Sequence, residues 1–172
     1  MNKIVLELKE MKRAMRPFVL MLWELTYELD AQNVLEIGVR AAQSTRTILS
    51  ALEEKGSGLL TSIDIKDGSH RVPEDLAKRW KHVIGDSTKK ETLEKVSGVE
   101  YDLLLIDGSH TYEDVKKDYE MYSKLVKKGG FILLHDVINK NCGVPQFWNE
   151  LSNENKITLP FGVAGLGIIR KE

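Results

Sequence analysis

The chain has 172 residues, of which 42% are hydrophobic and 30% are charged, and its formal net charge at pH 7 is -1. These proportions are typical of a folded globular protein and exclude a disordered chain. So small a net charge gives no general attraction to nucleic acid or to an anionic membrane, and we expect neither as a partner.

The cysteine content and the hydropathy pattern indicate the compartment. Cys142 is the only cysteine, so there is no internal disulfide, and no apolar run reaches the ~20 residues of a membrane span. The first residues, MNKIVLELKEMKR, carry charges throughout and differ from a secretory signal peptide. We therefore expect a cytoplasmic protein.

The N-terminal part of the chain predicts two helices. Apolar residues recur at helical spacing from Ile4 to Met15, and Pro17 suits the first turn of a second helix. We expect these helices to occupy residues 1–30 and to precede the main fold.

From residue 33 onward, strand patterns alternate with helix patterns. Several of the strands are nearly continuous apolar runs, as in parallel strands that are buried on both faces. Strict alternation predicts an α/β fold with a doubly wound, mostly parallel sheet, and we expect one domain over residues 1–172 with its core at 33–172. The predicted strands are NVLEIG, LLTSID, WKHVIGD, YDLLLID and FILLHD, followed by a closing antiparallel pair, KITLP and LGIIR.

The helix before FILLHD has a clear apolar stripe. Val115, Tyr119, Tyr122 and Val126 lie on one predicted face, with charged residues on the other. We expect the pair at 129–130, Gly-Gly, to end this helix. The segment GVPQFWNELSNE also has a helical pattern.

An acidic residue lies at or beside the end of each of the first five strands. Ligands of such sheets bind outside the carboxyl ends of the strands, so these side chains are expected at one edge. A single acid there is commonly a turn or helix cap, but five together predict a binding site. The acids are Glu36, Asp64, Asp86, Asp107 and Asp136.

The first strand-to-helix turn, EIGVRAAQS, indicates which ligand binds there. Gly38 permits a tight turn, but the segment lacks the glycines that wrap a diphosphate. Glu36 would repel phosphate and attract an ammonium group. The turn therefore favours a nucleoside without phosphates, with Asp64 on the ribose hydroxyls and Asp86 accepting from an adenine amino group.

The segments EIGVRAAQS, SID, GDS, LIDGSH and GGFILLHD together carry a family resemblance. They resemble class I S-adenosylmethionine-dependent methyltransferases with a seven-stranded Rossmann-like sheet. Most similar is the small branch that includes macrocin- and cephalosporin-tailoring O-methyltransferases, the methyltransferase domain family 24. One departure is Ala42, where the family usually carries glycine; its methyl group is expected to narrow the pocket without closing it. The cofactor-binding residues that the resemblance implies are Glu36, Gly38, Ser44, Asp64, Ile65, Asp86, Ser87 and Asp107.

Asp107 and Asp136 end neighbouring strands, and they match two metal-ligand positions of catechol-type O-methyltransferases. Those enzymes place a third oxygen ligand directly after the second, where this chain has Val137. A divalent cation such as Mg²⁺ is one interpretation. His110 or His135 would complete a site that favours Mn²⁺, Zn²⁺ or Fe²⁺, and the remaining interpretation is that the carboxylates only shape the pocket.

His110 is the candidate catalytic base beside Asp107. It occupies the position where catechol-type enzymes carry a catalytic lysine, and an imidazole suits proton transfer at neutral pH. The competing interpretation is that His110 caps the following helix. For His135, the preferred interpretation is a buried residue bonded to backbone.

We therefore expect an enzyme that methylates a hydroxyl of a small-molecule acceptor, with a homodimer as a plausible assembly. Tyr112, Phe147 and Trp148 are candidates to flank the adenine or the acceptor, although core packing is preferred for Trp148. The alternatives are a nicotinamide-dependent oxidoreductase on a similar sheet and a nucleoside-binding module without catalysis.

Overall fold

The structure is a computed structural model that describes residues 3–12, 14–152 and 155–172. Single turns of 3₁₀ helix occur at Arg16–Phe18, Ser69–Arg71 and Ser123–Leu125. The helices are α1 (Lys3–Glu10), α2 (Val19–Glu28), α3 (Gln43–Lys55), α4 (Glu74–Ala77), α5 (Lys90–Glu94), α6 (Tyr112–Tyr122) and α7 (Val144–Glu150). The strands are β1 (Asn33–Ile37), β2 (Leu59–Asp64), β3 (Trp80–Ile84), β4 (Tyr101–Ile106), β5 (Val126–His135), β6 (Lys156–Leu159) and β7 (Leu166–Arg170).

The strands form one sheet in the order β3-β2-β1-β4-β5-β7-β6. Strands β1 to β5 pair in parallel, and β7 runs antiparallel to both of its neighbours. This arrangement confirms the predicted doubly wound α/β sheet with its closing antiparallel hairpin.

Apolar side chains cover both faces of the sheet, because alternate residues of each central strand point to opposite sides. On one face, Leu103 and Leu133 pack with α2 and α3 through residues such as Leu22 and Ile48. On the other face, Leu104 and Leu134 pack with residues of α6 and α7. Burial on both faces explains the continuous apolar runs.

The predicted boundary between α6 and β5 is wrong. The helix ends at Tyr122, and Val126 is the first residue of β5 rather than part of the helical stripe. The glycines at 129–130 lie inside the strand, where the β4–β5 pairing shifts register between Tyr101 and Leu103. The helix therefore ends before the two glycines, because the β-branched Val126 pairs with Tyr101 and begins the strand.

Two smaller predictions concern residues at the edge of the described ranges. The side chain of Ile4 lies outside them, as do Asn153 and Glu154, the last part of the predicted helix GVPQFWNELSNE. The observed helix α7 ends at Glu150. Within the described ranges, no helix has the length and apolar character needed to cross a membrane.

The strand register determines which side chains meet at the carboxyl edge. Ile37 pairs with Ile63 and with Ile106, and Ile106 pairs with Leu134. The next residue of each strand therefore falls in one row across the sheet. That row contains Gly38, Asp64, Asp107 and His135.

Candidate functional site

A cavity of about 760 Å³ opens at the carboxyl edge of the sheet. This volume lies within the roughly 300–1,000 Å³ range of small-molecule sites. Sequence reasoning missed two of its charged lining residues, Arg40 and Asp114. The predicted site residues that line it are Gly38, Asp64, Ile65, Asp86, Ser87, Asp107 and His110.

Gly38 is the point of closest approach between β1 and the loop after β4. Its φ is +96°, and a Cβ atom there would lie 2.1 Å from the carbonyl oxygen of Asp107. The amide of Gly38 donates to the carbonyl of Ile63 at 2.8 Å. No residue with a side chain fits this position, so the predicted need for glycine has a steric cause.

Asp64 ties the turn after β1 to the end of β2. Its Oδ2 accepts from the backbone amides of Val39 and Arg40 at 2.8 and 3.0 Å, and its Oδ1 accepts from the amide of Lys66 at 2.9 Å. Burial opposes ionisation, but these amides lower the pKa of Asp64 below its ordinary value. The amides of Val39 and Arg40 are therefore engaged by a carboxylate.

Glu36 and Ser44 lie behind the cavity wall and not on it. Glu36 is fully buried and accepts hydrogen bonds from the hydroxyls of Ser44, Thr45 and Ser62 at 2.6, 2.8 and 2.6 Å. Burial raises the pKa of Glu36 to about 7, although the three hydroxyls oppose the rise. A direct contact of Glu36 or Ser44 with a ligand stays a prediction.

Ala42 does not narrow the cavity, because its methyl group is buried in the apolar core beneath the turn. The residue adopts a left-handed conformation with φ 56° and ψ 27°. This conformation is strained for a residue with a Cβ atom and would suit glycine better. The expectation of a tighter pocket is thus wrong.

Asp86 closes the turn that follows β3. Its Oδ1 accepts from the backbone amide and the hydroxyl of Thr88 at 2.9 and 2.7 Å, and these bonds lower the pKa of Asp86. The carbonyl of the next residue, Ser87, accepts from the hydroxyl of Tyr122 at 2.7 Å. Only Oδ2 of Asp86 remains largely uncommitted, with Lys89 Nζ 3.9 Å away.

Two carboxylates and two imidazoles form a cluster at one end of the cavity, from Asp107, His110, His135 and Asp136. Nδ1 of His135 lies 2.9 Å from Asp107 Oδ1 and 3.1 Å from Asp136 Oδ2. Burial alone would lower the pKa of His135, but the two carboxylates outweigh it and raise the pKa to about 10. His135 is buried, as predicted, but the expected backbone partner is wrong, because its ring bridges two carboxylates.

His110 completes the cluster from the cavity side. Its Nδ1 lies 3.2 Å from Asp136 Oδ2, and its side chain is 43% exposed. The hydrogen bond to Asp136 raises the pKa of His110 above its ordinary value, against the effect of burial. The helix-cap interpretation is wrong, since the hydroxyl of Thr111 accepts from the amide of Asp114 at the start of α6.

The segment after β5 holds this arrangement in place. Asn139 Nδ2 donates to Asp136 Oδ1 at 2.7 Å, and the amide of Gly143 donates to the carbonyl of His110 at 2.8 Å. A Cβ atom on Gly143 would lie 2.3 Å from the amide nitrogen of Tyr112. The loops that carry His110 and Asp136 are therefore packed directly against each other.

Asp107, His110 and Asp136 can each offer one ligand atom within 4.8 Å of the others. Two carboxylate oxygens and one imidazole nitrogen suit Mn²⁺, Zn²⁺ or Fe²⁺ better than they suit Mg²⁺. Val137, the position of the expected third oxygen ligand, is apolar and 3% exposed. The donor set of this chain thus fits a divalent cation only with His110 included.

The aromatic candidates lie away from the cavity wall. Phe147 and Trp148 are buried in the core, and Trp148 Nε1 donates to Thr158 Oγ1 at 2.9 Å. Tyr112 is half-buried, and its hydroxyl bonds to Glu150 at 2.5 Å. Core packing of Trp148 is confirmed, whereas a ligand contact by any of the three is not supported by the lining of the cavity.

Asp118 is a further polar residue that sequence reasoning missed. It is fully buried on α6, next to the part of the cavity lined by Ser87 and Gly108. The signal was its spacing of three residues from Val115 and four from Tyr122, which places an acid on the apolar face.

Comparison with known sequences identifies related chains. Residues 35–137 match a family described as a methyltransferase domain. The hybrid PKS-NRPS synthetase phm1 of a Pyrenochaetopsis species is 30% identical over 134 residues, which are 75% of this chain and 3% of that protein. A protein of Sinorhizobium fredii, y4gI, is 37% identical over 67 residues, 38% of this chain and 7% of its own length. The chain thus spans a small part of these relatives.

Solved structures share the fold at low sequence identity. The SAH-bound methyltransferase PaMTH1 of Podospora anserina has a TM-score of 0.73 and 16% identity, over 100% of this chain and 89% of its own. The O-methyltransferase TomG of Streptomyces achromogenes, in complex with SAM, has a TM-score of 0.71 and 16% identity, with coverage of 100% and 91%. The methyltransferase MycE of the mycinamycin pathway, in complex with Mg, SAH and mycinamycin VI, has a TM-score of 0.67 and 17% identity, with coverage of 99% and 55%.

Proposed function

This chain belongs to the family described as a methyltransferase domain, and we propose that it transfers a methyl group from S-adenosylmethionine to a hydroxyl of a small molecule. The observation that carries this proposal is the pairing of His110 with Asp136 at the wall of the cavity. An exposed imidazole held by a buried carboxylate is suited to remove a proton from an acceptor.

The charges around the cavity suit a cationic nucleoside. Five carboxylates line it against three basic side chains, Arg40, Lys66 and Arg71, and S-adenosylmethionine carries a sulfonium and an ammonium group. A diphosphate fits poorly, because Asp64 already occupies the amides that would cradle it after β1. This argues against a nicotinamide cofactor. The lining carboxylates are Asp64, Asp67, Asp86, Asp107 and Asp114.

Individual residues have distinct proposed roles in binding. The backbone at Gly38 allows the cofactor to approach β1 closely, and the remaining lone pairs of Asp64 accept from the ribose hydroxyls. Ile65 is 68% exposed, which provides an apolar surface for the ribose or the base. We assign Asp86 and Ser87 to the adenine. Glu36 and Ser44, which are hydrogen-bonded to each other, are assigned to the methionine end of the cofactor.

The bound cofactor supplies an electrophilic methyl group, and the protein has to orient and deprotonate the acceptor oxygen. When His110 is neutral, Nδ1–H donates to Asp136, and Nε2 is left to take the proton. We expect two effects to accelerate methyl transfer: alignment of the acceptor oxygen with the methyl group of the cofactor, and removal of the proton from that oxygen. His135 keeps Asp107 and Asp136 close together by binding both.

A divalent cation is a second proposed way to activate the acceptor at the same site, in place of the base, because the one lone pair of a neutral His110 cannot both bind a metal and take a proton. Asp107, His110 and Asp136 would hold it, and its chemistry would be to lower the pKa of the acceptor hydroxyl. Calorimetry with MnCl₂ and MgCl₂ tests this directly. We expect Mn²⁺ to bind more tightly than Mg²⁺ and Asp136→Asn to weaken Mn²⁺ at least tenfold, whereas equal, weak binding to both proteins removes the metal from the proposal.

Calorimetry also tests the cofactor. We expect the protein to bind S-adenosylmethionine and S-adenosylhomocysteine but not NAD, and the control Asp75→Asn, on the exposed face of α4, to bind them equally well. Binding of NAD alone would overturn the methyltransferase proposal. Binding of S-adenosylhomocysteine by a wild-type protein that transfers no methyl group would instead favour a nucleoside-binding module.

The acceptor is proposed only as a small molecule with a hydroxyl group. A cytoplasmic location and a homodimer stay predictions. Light scattering of the purified chain measures the second of these.

A further inference from the structure

The carboxyl group of Asp118, on α6, is buried. Its exposure is 0%, and neither of its carboxyl oxygens has a hydrogen-bond partner among the described residues. Leaving such a group unpaired costs folding free energy, typically about 1–3 kcal/mol. A purely structural role explains this residue poorly, because an apolar side chain of the same size would stabilise the fold more.

The carboxyl lies directly behind the cavity wall. A Cβ atom on Gly108 would stand 3.6 Å from Asp118 Oδ2, and Gly108 itself lines the cavity. Ser87, which also lines the cavity, acts on the carboxyl of Asp118 through its hydroxyl. One turn further along α6, Tyr122 fixes the backbone of Ser87 through a hydrogen bond to its carbonyl.

Burial and a neighbouring hydroxyl act on the pKa of Asp118 in opposite directions. Burial raises the pKa of Asp118 to about 7, and the hydroxyl of Ser87, which can bond to the carboxyl, opposes that rise. The hydroxyl of Ser87 is near enough to act on the carboxyl, and its hydrogen is free to turn toward it. In that arrangement, the hydroxyl of Ser87 donates a hydrogen bond to the carboxylate of Asp118.

We propose that Asp118 is a positioning residue that sets the nucleobase specificity of the cofactor site through Ser87. With its hydrogen committed to Asp118, the Ser87 oxygen can offer the cavity only an acceptor. It then favours a purine with an exocyclic amino group, such as adenine, over one with a carbonyl at the same place, such as hypoxanthine. The inference rests on the proposed function, since it assumes a bound nucleoside.

Asp86 is the competing candidate for the same task. Its Oδ1 already holds two groups of Thr88, and its side chain is 45% exposed to solvent. Water competes for an exposed carboxylate, so a hydroxyl oriented from a dry interior discriminates better. The contributions of Asp86 and Asp118 to nucleobase specificity can be distinguished by experiment.

The test compares the affinities of S-adenosylhomocysteine and S-inosylhomocysteine by calorimetry. We expect the wild type to prefer the adenine compound by about tenfold or more, and Asp118→Leu to bring the ratio close to one, because the freed hydroxyl can then donate to a carbonyl. Asp118→Asn retains an acceptor oxygen and should keep most of the preference. Asp75→Asn is the matched control.

A coupling measurement distinguishes this role from a general structural one. Ser87→Ala should abolish the preference by itself, and adding Asp118→Leu to it should cause no further change in the ratio. The inference is overturned if Asp118→Leu keeps the wild-type ratio of the two affinities. If Asp118→Leu does not fold, the same ratio in Ser87→Ala decides the question. Failure of the wild type to bind S-adenosylhomocysteine would instead refute the proposed function.

Discussion

Nδ1 of His110 lies 3.2 Å from Oδ2 of Asp136. The carboxylate is 7% exposed, whereas the imidazole is 43% exposed. Burial opposes ionisation of Asp136, but His110 and His135 hold its pKa well below the ordinary value. The imidazole that faces the cavity therefore has a partner that stays charged at any pH near neutrality.

Replacement of His110 tests its role as the base. We expect His110→Gln to lower kcat by about 10²–10⁴, the usual contribution of a general base. Affinity for S-adenosylhomocysteine should change less than about twofold, because the imidazole acts on the acceptor. His70→Gln, in the exposed 3₁₀ turn before α4, is the control and should retain full activity. Equal kcat values for the wild type and His110→Gln would exclude the base.

The pH profile tests the pair that His110 forms with Asp136. Only neutral His110 can accept a proton, and its pKa is raised, so kcat/KM should rise with pH through an apparent pKa above the ordinary value of ~6.5. Asp136→Asn removes the negative partner, which lowers the pKa of His110 and moves the acid limb to lower pH. The measurement is kcat/KM from pH 5.5 to 9, after EDTA treatment of both proteins. A shift to higher pH would contradict the assignment.

Gly38→Ala tests the contact between β1 and the loop after β4. The new Cβ atom would lie 2.1 Å from the carbonyl oxygen of Asp107, so one of the two strand ends has to move. We expect a loss of more than about 3 kcal/mol in the free energy of unfolding. Urea denaturation measures it.

Gly56→Ala is the matched control for this change. Gly56 also has a positive φ, +79°, but no heavy atom lies within 4 Å of the position of its Cβ atom. Its loss should therefore be limited to the cost of a left-handed alanine, roughly 1 kcal/mol. Equal losses in the two variants would show that the close approach to Asp107 has no energetic importance.

The sequence predicted much of the site, because two kinds of signal are local. Apolar runs locate the strands, and in a parallel sheet their last residues must share an edge, so Asp64, Asp86 and Asp107 were placed together from order alone. Which atoms each side chain contacts, in contrast, depends on neighbours that are far away in sequence. No local pattern indicates, for example, that the hydroxyls of Thr45 and Ser62 surround Glu36.

His135 and Asp118 show the same limit. No local pattern indicates that Nδ1 of His135 lies between two carboxylates, because one of them, Asp107, belongs to another strand. Asp118 interrupts an apolar stripe, which identifies a buried acid but not its neighbours. Val126 was misplaced because a helical spacing that continues past Tyr122 by chance looks the same as one that is structural.

The raised pKa of Glu36 gives a pH-dependent contribution to stability. Unfolded Glu36 loses its proton near the ordinary pKa of 4.5, and folded Glu36 keeps it up to about pH 7. Between these values the folded state binds the extra proton, so the free energy of unfolding falls as pH rises, by up to about 3 kcal/mol. Above pH 7 this contribution is lost, because the protein then has to bury a carboxylate.

Glu36→Gln isolates this contribution, since glutamine does not titrate. Urea denaturation at pH 5 and pH 8 should show that the wild type loses about 2.5 kcal/mol more between the two values than the variant does. Asp118 has a raised pKa as well, but it is present in both proteins, so its slope cancels in the comparison. Glu74→Gln, on the exposed side of α4, should leave the slope unchanged. Parallel slopes for the wild type and Glu36→Gln would mean that Glu36 is ionised in the folded protein even at pH 5, with its three hydroxyl partners sufficient to hold the charge.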